Sequence, residues 1–126
     1  MRLKRFLSSS GLEILVGNDD ASNDELTFRV GRANDIWLHV AGTPGSHVVL
    51  RRPDSGDDPD RASLKEAAAL AAWFSKMRNG GKVSVNWCLC KDVKKPRGAK
   101  AGSVTIRNEA KVQVRPALRD ELEGGA

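Results

Sequence analysis

The chain has no tyrosine, only two cysteines and two histidines, and 5% aromatic residues in 126. Two cysteines, Cys88 and Cys90, cannot build a disulfide framework, and their C-x-C spacing is not the C-x-x-C of zinc or redox sites. A zinc site would have to borrow His39 and His47, so neither a metal nor a cofactor is expected. No apolar run approaches the ~20 residues of a membrane span. The start, Met1-Arg2-Leu3-Lys4-Arg5-Phe6-Leu7, turns at once to Ser8-Ser9-Ser10-Gly11 and leaves no apolar signal-peptide core. The expectation is a cytoplasmic monomer without membrane contact. No Ser or Cys nucleophile motif stands out. Asp35, His39 and His47 are the minimum for acid/base work, which keeps a small nucleic-acid-processing hydrolase as the weaker reading. Asp54 to Asp60 holds four aspartates but no glutamate at calcium-loop distance, and reads as an exposed loop.

What the chain does have is positive charge, in one place. The net charge is +5. Residues 91–115 carry eight basic side chains (Lys91, Lys94, Lys95, Arg97, Lys100, Arg107, Lys111, Arg115) against Asp92 and Glu109, a local excess of 8 − 2 = 6. Such a cluster attracts polyanions, and it supplies most of non-specific affinity for nucleic acid.

The other notable stretch is Asp35 to Leu50, two β-prone runs around Thr43-Pro44-Gly45. Strand alternation puts Ile36, Leu38 and Val40 on a core face and Trp37 and His39 on the other. Those two rings are either covered by another element or form an aromatic platform for a ligand. Gly42 and Gly45 leave backbone amides accessible to a phosphate, although the Walker spacing is absent.

The rest of the pattern supplies the frame. Lys4–Ser8 and Leu12–Val16 read as a hairpin. A capping box from Ser22 to Glu25 opens a short helix over Asn23–Val30 that Gly31 ends, with Asn18 and Asn23 as backbone caps. A second helix starts at Asp60 or Ser63 and buries a stripe of Leu64, Ala67, Ala68, Ala71 and Phe74, widened by Leu70, Trp73 and Met77. Asn79-Gly80-Gly81 is read as its end. Val83–Leu89 is a half-buried strand, and Val104–Ile106 with Val112–Val114 reads as a final hairpin. The order β-β-α-β-β-α-β-β-β predicts an α+β domain over residues 1–118, a mostly antiparallel sheet with two helices packed on one side. Residues 119–126 are expected to fray.

These pieces together resemble the NFACT-R family, the RNA-binding module of NFACT proteins of ribosome quality control. The matching blocks are Gly11–Gly17, Asn23–Thr27, Asn34–Val40, Pro44–Val49 and Val93–Gly102, in order. Leu38 stands where the family often has Phe, and Ala101 where Pro is common. The resemblance implies a stand-alone, non-catalytic module, since the tRNA-binding domain, helix-hairpin-helix segments and coiled-coil arm of full-length NFACT proteins do not fit in 126 residues. Its expected partner is RNA, ribosomal or transfer, on the ribosome. DNA binding and docking on a protein remain the alternatives. In this reading Lys94, Lys95, Arg97 and Lys100 meet phosphates, Arg51 and Arg52 extend the surface, and Trp37 or His39 stacks on a base. Gly45 and Ser46 offer backbone amides or a hydroxyl to a phosphate, and His47 is counted with the nucleic-acid-binding residues. Asp35 orients a loop or His39.

Overall fold

The computed structural model describes residues 3–122. Six strands form one sheet: β1 (Leu3–Leu7), β2 (Glu13–Gly17), β3 (Ile36–Val40), β4 (Val48–Leu50), β5 (Val83–Leu89) and, skipping two short strands, β8 (Ala110–Val114). Their spatial order is β1-β2-β4-β3-β5-β8, and every neighbouring pair is antiparallel. The α+β class and the antiparallel sheet are as the pattern predicts. β3 lies inside the sheet, with Trp37 opposite Val49 on one side and Cys88 on the other. The remaining strands, β6 (Val93–Lys94) and β7 (Thr105–Ile106), pair with each other outside the sheet. The expected hairpin between Val104–Ile106 and Val112–Val114 therefore does not form. The two segments are neighbours in sequence, but one pairs with β6 and the other with the edge of β5.

The two helical elements cover opposite faces, not one. α2 (Arg61–Trp73) buries Ala67, Ala68, Leu70 and Ala71 on the face that carries Ile14, Val16, Ile36, Leu38 and Val40. Asp60 caps it by accepting the Ser63 amide at 3.0 Å. Hydrogen bonds from Ser10 and Ser63 pull the Asp60 carboxyl down to about 2. Glu66 does not complete a capping box. It accepts instead from the Ser9 amide at 2.8 Å. The helix ends at Trp73, well before Asn79, because Ser75 is drawn into a bridge with Gly45. Met77 consequently lies outside the stripe and is exposed.

On the other face, α1 (Asp20–Glu25) runs into a π-helical turn over Leu26–Val30. The cap is Asp19, one turn earlier than Ser22. Its carboxylate accepts from Ser22 N at 2.8 Å, and Ser22 Oγ accepts in return from Asp19 N at 2.9 Å. Gly31 does stop the helix, with extended backbone. A Cβ there would lie 2.9 Å from Cys90 Sγ, so the position requires close approach. Leu26, Leu15, Trp37, Val49, Cys88, Cys90 and Val93 make the second core cluster, with Val104 and Ile106 packed on it. Burial pushes both thiols up to about 12, so they are protonated packing groups.

Beyond Leu118 the chain folds back on β1. Arg119 donates to Leu7 O at 3.0 Å and Leu122 N to Arg5 O at 2.8 Å. The expected fray thus does not describe Arg119–Leu122, and 123–126 lie outside the described residues.

A candidate nucleic-acid interface

The site is built on the Trp37 side of β3. Side-chain alternation stacks Trp37 and His39, with ring centroids 5.8 Å apart and planes 8° from parallel. The edge of His47, at the entry to β4, meets both rings at 5.1 and 5.5 Å. Trp37 is 2% exposed, which corrects the platform reading for this residue. The π-helical turn and the β6–β7 pair cover it, and neither is legible as a lid from local pattern. His39 alone remains half-buried, its ring opening onto a cleft of 520 Å³.

A hydrogen-bond chain fixes this cluster. The indole N–H of Trp37 donates to Thr27 Oγ1 at 3.0 Å. The same hydroxyl is hydrogen-bonded to His47 Nδ1, 2.8 Å away, with the direction of that bond set by the imidazole tautomer. Asn23 Oδ1 accepts the His47 amide at 3.1 Å. Asn23 is therefore more than a cap: it ties α1 to the segment before β4. No buried side-chain polar atom among the described residues lacks a partner. Burial, with the neighbouring His39, pushes His47 down to about 4, and burial also lowers His39. Both rings are neutral at pH 7.

The basic loop between β6 and β7 closes one wall of the cleft through Lys100, Ala101, Gly102 and Ser103. Asp24 holds it in place. Its carboxylate accepts from Gly102 N at 3.0 Å and pairs with Lys95 at 3.0 Å. Lys95 also donates to the carbonyls of Ser103, at 2.9 Å, and of Lys100. Gly102 adopts φ +84° at this turn, a conformation that favours glycine. Lys95 is thus a staple of the loop. Lys94, Arg97 and Lys100 are exposed, and among the described residues none of them is ion-paired.

The structure brings Trp37, His39, Gly45, His47 and Lys100 together around one cleft. Gly45 sits in its wall and packs on Ser75, where a Cβ would approach the Ser75 Cβ to 2.9 Å. The Ser46 amide is already given to Phe74 O at 3.1 Å. Arg51 and Arg52 lie at the far end of β3–β4. Arg51 pairs with Asp35 at 3.0 Å, and Arg52 with Asp58 at 2.7 Å. Asp35, buried, accepts from the amides of Arg32 and Arg52 as well, so it orients that loop and not His39. Thr27, Asp24 and Asn86 are site residues that pattern does not single out, and Asn23 reads only as a cap. Asn86 lines the cleft and accepts from Lys111 Nζ at 2.8 Å. Their roles rest on partners up to 78 residues away, as for Asp24 and Gly102.

The cleft, then, has an uncharged aromatic floor, amide and hydroxyl groups along its walls, and one cation, Lys100, and one carboxylate, Asp20, in its lining. Sheet and cover define a module of the α+β type: residues 2–108 match the model of the NFACT protein RNA-binding domain, and the chain belongs to that family. It is 45% identical over 114 residues to the Rqc2 homolog RqcH of Bacillus subtilis (strain 168), matching 90% of this chain and 19% of that protein. The RqcH of Streptococcus suis (strain 05ZYH33) is 40% identical, matching 90% of this chain and 20% of that protein. The chain therefore spans about a fifth of the length of these relatives. Among solved structures, the C-terminal part of the fibronectin/fibrinogen-binding protein from Streptococcus suis superposes with a TM-score of 0.86 at 39% identity. That match covers 93% of this chain and 46% of the other.

Proposed function

We propose that the chain is a non-catalytic RNA-binding module that works on ribosomal or transfer RNA in ribosome quality control. An unpaired base enters the His39 cleft, and Lys94, Arg97 and Lys100 hold its phosphates. The observation that carries this reading is the split in polarity. With both histidines neutral and Asp20 and Asn23 among the lining groups, the cleft interior suits a base edge better than a phosphate. Lys100 lines its edge, and the exposed Lys94 and Arg97 precede it in the same basic segment, where a phosphodiester backbone would run. A base stacked on His39 would contribute about 1–3 kcal/mol. Trp37 contributes from beneath, as the buried ring against which His39 stacks.

Fluorescence-anisotropy titration against structured RNA tests it. The Lys94→Ala/Arg97→Ala/Lys100→Ala variant should weaken binding and flatten the dependence of log affinity on log salt by about 2–3, one counterion per lost contact. His39→Ala should weaken binding to unpaired RNA by roughly 5- to 150-fold, the stacking energy expressed as a ratio. Affinity indifferent to salt, or to both substitutions, refutes the reading.

A further inference from the structure

We propose a second subsite for the phosphodiester backbone of the same RNA strand, on the far side of the Pro44–Gly45 ridge. It rests on the reading just given and extends it to residues that no sequence motif marks. A groove of 440 Å³ lies there, lined by Lys4, Phe74, Lys76 and Arg78. It shares Asp20, Asn23, Pro44 and Gly45 with the His39 cleft, so the two depressions meet across the ridge. A strand leaving the cleft in that direction passes directly into the groove.

Three cations line it, Lys4 from β1 and Lys76 and Arg78 from the segment after α2. Among the described residues none of the three has an acidic partner, whereas Arg5, Arg51, Arg52, Lys95 and Arg119 are all ion-paired. Two are held in advance. Lys4 Nζ donates to Asn18 Oδ1 and lies 5.4 Å from the centroid of the Phe74 ring. Arg78 Nε donates to Trp73 O at 2.8 Å, and its guanidinium lies 4.6 Å from the Trp73 centroid. Cations positioned this way lose little side-chain freedom when a phosphate arrives. The ridge is also tied to the segment that bears them. Gly45 bridges to Ser75, and Ser46 N donates to Phe74 O. The ridge and the backbone that carries Lys76 and Arg78 are thus joined. Asp19 and Asp20 stand on the α1 wall, with the Asp19 carboxylate turned to the Ser22 amide. They repel phosphate there and leave the Lys76–Arg78 wall as its path.

The test uses the whole chain and labelled single-stranded RNA of about two and about ten residues. The Lys76→Ala/Arg78→Ala variant, checked for an unchanged melting curve, should bind the short RNA as the parent does. It should bind the long RNA roughly tenfold more weakly, with a salt slope flatter by about 1.4. Equal losses on both lengths, or no loss on the long one, overturn the second subsite alone. A parent chain that binds neither RNA overturns the base-cleft reading as well. Loss with His39→Ala but not with the double variant keeps the cleft and removes the groove.

Discussion

On the α2 face of the sheet the cover is alanine. Ala67, Ala68, Ala71 and Ala72 let the helix lie close over Leu38, Val48 and Leu50, and all of these are fully buried. On the opposite face the cover is assembled from an irregular turn and a basic hairpin, and Thr27, His47 and Asn23 are buried with the apolar groups. One sheet therefore carries an interior built for close packing and another built around a hydrogen-bonded polar chain. The second costs more to assemble, since each buried polar atom needs a partner. It also leaves a cleft, because side chains fixed by direction-specific bonds cannot relax to fill space. The cleft proposed to take RNA is on the face that packs less simply.

Three measurements sharpen that comparison. The largest effect belongs to the alanine-covered face. Leu38→Ala should cost about 2–5 kcal/mol in urea unfolding while leaving RNA affinity of the folded fraction intact. A comparable drop in affinity would mean that the two faces are coupled. Next comes pH. His47 titrates near 4 when folded and near 6.5 when free. The unfolded chain thus binds the proton first, and stability is full above about pH 6.5 and declines as pH falls toward 4. The loss is about 3 kcal/mol. Thermal melts of the parent and His47→Gln across that window should converge, since the variant lacks the titrating group. A parent curve flat in pH would show that the ring is not held neutral. The smallest effect is Thr27→Val, which keeps the shape but removes the partner of both Trp37 Nε1 and His47 Nδ1. It should destabilise by about 1–3 kcal/mol, and indole fluorescence should shift as the N–H loses its acceptor. No change in either would remove the hydrogen-bond chain from the argument.

How much of this was legible beforehand follows from the range of each interaction. The sorting of Ile36, Leu38 and Val40 from Trp37 and His39 is a two-residue periodicity, and it held. Asp60 as a helix start was open to reading for the same reason. Asp19 is not legible as the cap because Ser22 and Asp19 exchange bonds in both directions, and either can be taken for it. The lid over Trp37 was out of reach. β6 is two residues, too short for a pattern, and β7, legible as a strand, pairs with it and not with β8, packing on an apolar surface formed elsewhere. Arg51 and Arg52 look like Lys94 and Arg97 in a sequence, and only Asp35 and Asp58 tell them apart.

The sequence by itself determined the α+β class, the antiparallel sheet, the concentration of charge after Cys90 and the family resemblance. All of these are periodicities, totals or ordered blocks, readable without knowing what touches what. Tertiary structure decided that Trp37 is covered and His39 is not, that Lys95 is a staple while Lys100 is free, and that Lys4 and Lys76 share a groove. Those facts depend on residues tens of positions apart meeting in space, where burial sets the protonation of each histidine and a single carboxylate settles whether a cation is free to bind.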